Sequence, residues 1–88
     1  MTRKEKFVAL LKKRGYKSVN SFCLDNNLIQ TNLNKRLKNE TIRVDIDNLF
    51  LFAALLHVPI EEMLDIFYPD DMELNRQLVE EGKNNDSV

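Results

Sequence analysis

Apolar residues recur along this chain at helical spacing, never in the alternation of a half-buried strand. Near the start Phe7, Leu10 and Leu11 stand at i, i+3 and i+4 with Val8 widening the stripe, which predicts an amphipathic helix from about Thr2 to Arg14. Gly15 follows where a left-handed residue ends a helix, and Lys12, Lys13 and Arg14 suit the negative end of the helix dipole. Ser18 is the expected N-cap of a short second helix whose apolar edge is Val19, Phe22 and Cys23. The pair Asn26-Asn27 interrupts it, and asparagine enters the left-handed region more readily than other side chains, so Asn27 is expected to make a tight turn. A third helix is expected from Gln30, with Leu33 and Leu37 one turn apart as its buried edge.

After a polar stretch, Asp45 is the expected N-cap of a fourth helix running to about His57. Ile46 and the run Leu49 to Leu56 make that helix apolar nearly all round, which predicts a central element packed on several sides. Pro59 breaks the chain, and Ile60, Met63, Leu64 and Phe67 trace i, i+3, i+4 and i+7 for a fifth helix that Pro69 is expected to end. Glu61 and Glu62 lie favourably in its first turn. A weaker pattern with Met72, Leu74, Leu78 and Val79 predicts a sixth helix from Asp70 to Glu81, stopped by Gly82, with fraying after Lys83. The fold class is therefore all-α, with two segments expected: a body over residues 1–69, and a C-terminal helix and frayed tail over residues 70–88 as a possible dimerisation element.

Charge changes the picture more than composition does. The 88 residues sum to a formal net charge of −1, which argues against a nucleic-acid partner. Residues 1–43, however, hold eleven Lys and Arg against three Asp and Glu, or +8, and residues 44–88 hold two against eleven, or −9. The small total is a cancellation, and such asymmetry between halves points to nucleic-acid or membrane contact, with solubility or self-association as the plainer use of segregated charge.

Several chemistries drop out. Gly15 and Gly82 are the only glycines, so neither a dinucleotide nor a nucleoside-triphosphate phosphate loop can be written. One cysteine, Cys23, and one histidine, His57, cannot make a disulfide framework or a structural zinc site, and no cofactor is expected. Cys23 reads as a small core hydrophobe, and His57 as a residue capping the end of the fourth helix. The acidic pairs Glu61-Glu62 and Asp70-Asp71 diverge around a helix and cannot converge on one bond as paired acid and base. No enzymatic activity is expected. No stretch approaches the roughly 18 to 20 apolar residues of a membrane span, so a cytoplasmic protein without membrane contact is expected.

The segment from Ser18 to Lys38 carries the remaining signal. Thr31, Asn34, Lys35 and Lys38 fall on an arc opposite Leu33 and Leu37, giving the third helix a face of donors and positive charge. A short helix, a tight turn and a second helix with such a face is an arrangement that can enter the DNA major groove. Asparagine and glutamine pair with adenine, lysine reaches guanine acceptors, and threonine offers a hydroxyl and a methyl.

These residues resemble the Cro/repressor-type (XRE-like) helix-turn-helix family. Phe22-Cys23 stands at the family's Leu-Ala, Asn27 at its turn glycine and Leu28 at the apolar residue that follows. Gln30-Thr31-Asn32-Leu33-Asn34-Lys35 is similar to the Gln-Ser-Ala-Ile-Asn-Lys recognition segment of lambdoid Cro, and Phe52 to Leu64 is similar in residue type to the family's downstream "lAkaLgvsldeLl". The resemblance spans residues 4–67. It implies a compact five-helix lambda-repressor-like domain with one added C-terminal helix, binding double-stranded operator DNA as a homodimer. Carried over by position, it makes Gln30, Thr31, Asn34 and Lys35 base readers and Ser18, Asn20, Lys38 and Arg43 phosphate contacts. The expected function is a bacterial or phage transcriptional regulator, a repressor by type. The alternative is a protein-interaction module on the same fold, antitoxin-like or host-modulating, that uses the acidic half.

Overall fold

In the computed structural model residues 1–86 are described, with 83–86 as helix backbone only. The chain forms α1 (Arg3–Lys13), α2 (Val19–Asp25), α3 (Gln30–Lys38), α4 (Ile46–Leu56), α5 (Ile60–Phe67) and α6 (Pro69–Asp86), and no strand occurs among the described residues. Each boundary has a local cause. A reciprocal capping box opens α1, in which the Glu5 amide donates to Thr2 Oγ1 and the Thr2 amide donates back to Glu5 Oε1, both at 3.1 Å. Gly15, at φ +95°, ends it. The Ser18 hydroxyl caps α2 by accepting from the Ser21 amide at 3.1 Å, and Asn27 turns the chain toward α3 at φ 56°.

Phe7, Leu10 and Leu11 of α1, Val19, Phe22 and Cys23 of α2, and Leu33 and Leu37 of α3 meet Leu49, Phe52, Ala53 and Leu56 of α4 and Met63, Ile66 and Phe67 of α5 in one core. Phe7 lies at its centre, edge-on to Phe22, Phe52 and Phe67 at 5.8 to 6.0 Å between ring centroids. Tyr68 fastens the loop before α4: its hydroxyl donates to the Val44 carbonyl at 2.6 Å and accepts from the Val44 amide at 3.0 Å.

Four expectations are corrected. The outer side of α4 is not packed: Ile46, Phe50, Leu51 and Ala54 are exposed, because the neighbouring helices cover only the side carrying Leu49, Phe52, Ala53 and Leu56. Asp45 stands at the N-cap of α4, but its carboxylate accepts from the Asn48 side chain instead of a backbone amide. Pro69 does not merely end α5; it is the first residue of α6, where its missing N–H costs nothing and its fixed φ suits a helix. Gly82 does not stop α6, which continues to Asp86 in place of the frayed tail expected there; the last two tail residues, 87–88, lie outside the described range.

The end of α4 also differs in chemistry. His57 is its C-cap, in the left-handed conformation at φ 56°, yet the cation that satisfies the terminal carbonyls is Arg14. The Arg14 Nε donates to the Leu56 carbonyl at 2.8 Å and a terminal nitrogen donates to that of His57 at 3.2 Å.

Candidate nucleic-acid interface

The α2–turn–α3 unit is built from three short-range devices. Ser18 starts α2, the left-handed Asn27 reverses the chain, and the Leu28 amide reaches back to the Cys23 carbonyl at 2.8 Å to close the end of α2. Asn26 adds a side-chain brace, its Nδ2 donating to the Phe22 carbonyl at 2.9 Å and to the Tyr16 hydroxyl at 3.3 Å. With Leu33 and Leu37 buried, the opposite side of α3 faces solvent.

Thr31 and Lys35 are exposed on that outer side and Asn34 is half-buried at its edge, whereas Gln30, three and seven residues before the two leucines, lies on their side of the helix and is exposed as the first residue of α3, so three of the four expected base readers share one helix face. Among the phosphate candidates, Ser18 and Asn20 are exposed at the start of α2 and Lys38 at the end of α3. The Ser18 oxygen is already engaged by the Ser21 amide and lies 3.2 Å from the Ser21 hydroxyl. Arg43 stands apart: its guanidinium lies over the Tyr68 ring at 4.8 Å and borders the groove between α4 and α6.

Two residues at this face were not singled out from sequence. Asn32 is exposed beside Thr31 and Lys35, only about 60° round the helix from Lys35. Ile29, the N-cap of α3, is largely exposed and supplies no side-chain cap to the α3 amides. Asn32 was within reach of helical arithmetic had the arc been centred on Lys35; an exposed isoleucine at a helix start carries no sequence signal.

The far end of α3 is held by a contact that no local pattern announces. Arg3 is 4% exposed, and its terminal nitrogens donate to the carbonyls of Arg36 at 2.8 Å, Ile42 at 2.9 Å, Glu40 and Phe67 at 3.0 Å, and Asn39 at 3.4 Å. Its backbone amide donates to Glu40 Oε1 at 2.9 Å, and the guanidinium lies 5.1 Å from the Phe67 ring centroid. Burial lowers the Arg3 pKa from the ordinary guanidinium value, and the nearby Glu40 charge opposes that shift. One side chain thus ties the exit of α3 to the start of α1 and the end of α5.

No group of three or more His, Cys, Asp or Glu is placed to hold a metal ion among the described residues, and no helix is long and apolar enough to cross a membrane. Comparison with protein-family models, with curated proteins and with solved structures finds no match to this chain.

Proposed function

We propose that this chain is a sequence-specific DNA-binding transcriptional regulator, a bacterial or phage repressor by type and not an enzyme, with a lambda-repressor-like arrangement of its first five helices. It acts in the cytoplasm as a homodimer on double-stranded operator DNA. One observation carries the reading: the side of α3 away from Leu33 and Leu37 presents Thr31, Asn34 and Lys35 together, with Gln30 exposed in the first turn, behind a capped helix and a tight turn, within the +8 half of the chain. Those side chains supply the donors and acceptors that base edges require in the major groove, and Ser18, Asn20, Lys38 and Arg43 supply candidates for the backbone. Repression then follows from occupying the operator and obstructing polymerase.

A second reading, a protein-interaction module using the acidic half, has its own support in the exposed apolar residues of α4 and α6. Titration against mixed DNA fragments across salt concentrations separates the two. The regulator binds at about 50 mM salt and weakens linearly in log salt, as counterion release demands. An Asn34→Ala plus Lys35→Ala variant then loses sequence preference, while Lys38→Ala weakens all sequences alike and flattens the salt slope. Absence of binding at low salt refutes the regulator and leaves the interaction module.

A further inference from the structure

The acidic half carries apolar surface that the fold does not use. On α4 the outward stripe is Ile46 and Phe50, one turn apart, at 51% and 55% exposure. On α6, Leu74, Leu78 and Val79 are 54%, 56% and 48% exposed. Between the two helices runs an open groove of about 690 Å³, floored by Val44, Leu49, Leu64 and Met72 and bordered by Ile46 and Arg43. The groove ends near Asn75, and the molecule is 53 Å long against a cross-section of 25 by 23 Å. An 18-residue helix is about 27 Å long, and Leu78 and Val79 stand in its second half, beyond the last residue that lines the groove.

We infer that this face is the surface on which a second copy of the chain docks, the projecting ridge of each α6 lying in the α4–α6 groove of the other. The inference names the surface for the homodimer of the preceding reading, and it stands on apolar geometry that does not involve α3. A short separate segment seated in the groove would leave the ridge uncovered. A second copy related by a two-fold axis covers both, because each chain offers the same groove and the same ridge. Five large residues at half exposure present on the order of 500 Å² per copy, so a pair that covers all of them and the groove floor hides on the order of 1,200 Å², the lower bound of stable interfaces.

Charge sharpens the inference. Between residues 69 and 82 the helix carries Asp70, Asp71, Glu73, Glu80 and Glu81 against Arg76 alone, and Arg76 is engaged within the chain by Asp65 at 2.7 Å. Two such helices repel at their edges. Added salt screens that repulsion and tightens a self-dimer, whereas a basic partner peptide would bind less tightly as salt rises.

The test is sedimentation velocity of the full chain, without DNA, at low and moderate salt. The expected result is a species of twice the 10.3 kDa chain mass whose dissociation constant falls as salt rises. Leu78→Glu on the ridge and Phe50→Glu beside the groove should each weaken it by about 100-fold, since each buries a charge without a partner. Leu24→Glu, on the distant α2, should leave it unchanged; circular dichroism establishes that all three variants fold. A monomer at every concentration overturns the inference, as does a dimer indifferent to both Leu78→Glu and Phe50→Glu, or one weakened by salt. A monomer that still reads DNA sequence overturns this surface and the homodimer but not the DNA reading, and a dimer that ignores DNA does the reverse.

Discussion

Replacing Arg3 by methionine keeps most of the apolar stem and removes the guanidinium, so the measurement isolates the polar tie. Four of the five carbonyls that Arg3 serves lie within 3.0 Å of a terminal nitrogen, and the group is 4% exposed. A hydrogen bond from a charged donor contributes about 1.5 to 3 kcal/mol in isolation. One guanidinium shared among several acceptors cannot deliver the sum, because its own desolvation opposes the gain. The loss expected from stranding these carbonyls is about 3 to 5 kcal/mol, since a buried carbonyl left without a donor costs about 1 to 3 kcal/mol and several lose theirs together. An 88-residue domain holds only about 4 to 13 kcal/mol in total, so Arg3→Met should be close to unfolding at physiological temperature. Urea unfolding followed by circular dichroism reads the difference, with an unchanged slope showing that the midpoint shift is stability alone. Arg3→Lys, which keeps the charge but not the planar fork, should fall between wild type and Arg3→Met. A loss below about 1 kcal/mol for Arg3→Met would mean that water serves these carbonyls as well as the guanidinium does and that Arg3 is no tie.

Two further outcomes follow from backbone geometry and burial. Asn27 holds φ 56°, so Asn27→Val should cost about 1 to 2 kcal/mol and Asn27→Gly should be neutral or slightly stabilising; equal unfolding midpoints for the two variants would remove the turn from the argument. Burial pushes the Cys23 thiol up from its ordinary range, so the thiolate is favoured only in the unfolded chain. Stability should therefore decline as pH climbs past the ordinary thiol range, and labelling by a thiol reagent should track urea unfolding; rapid labelling of the native protein would contradict the burial.

What was legible in the sequence was local. Ser18, Asn27 and Gly15 act on their own backbone or on a neighbour within a turn, so residue type and position predicted the boundaries of the first three helices. Leu33 and Leu37 identified the buried side of α3, and with it the outward position of Thr31 and Lys35. Non-local contacts were not legible. The carbonyls that Arg3 serves lie 33 to 64 residues away, and nothing in a basic residue near a helix start distinguishes it from the solvated lysines beside it. The outer face of α4 failed for a different reason: periodicity says how many sides of a helix are apolar, not how many neighbours exist to cover them. Gly82 failed because a glycine ends a helix only where the chain must turn, and α6 has room to continue.

That uncovered face and the divided charge bear on each other. A chain of +8 and −9 halves would associate basic half to acidic half if charge alone governed it, and such contact runs on from copy to copy as readily as it closes. In the proposed dimer the apolar residues of the acidic half direct association there, against the local repulsion, and α2 and α3 stay outside the contact. Repulsion at the edges would then cost that dimer some affinity and favour the arrangement that hides the most apolar area. Salt should accordingly move the two proposed associations in opposite directions, strengthening chain with chain while weakening chain with DNA. Measured in one salt series on the same protein, parallel responses would show that a single electrostatic surface serves both and that the division of labour between the halves is wrong.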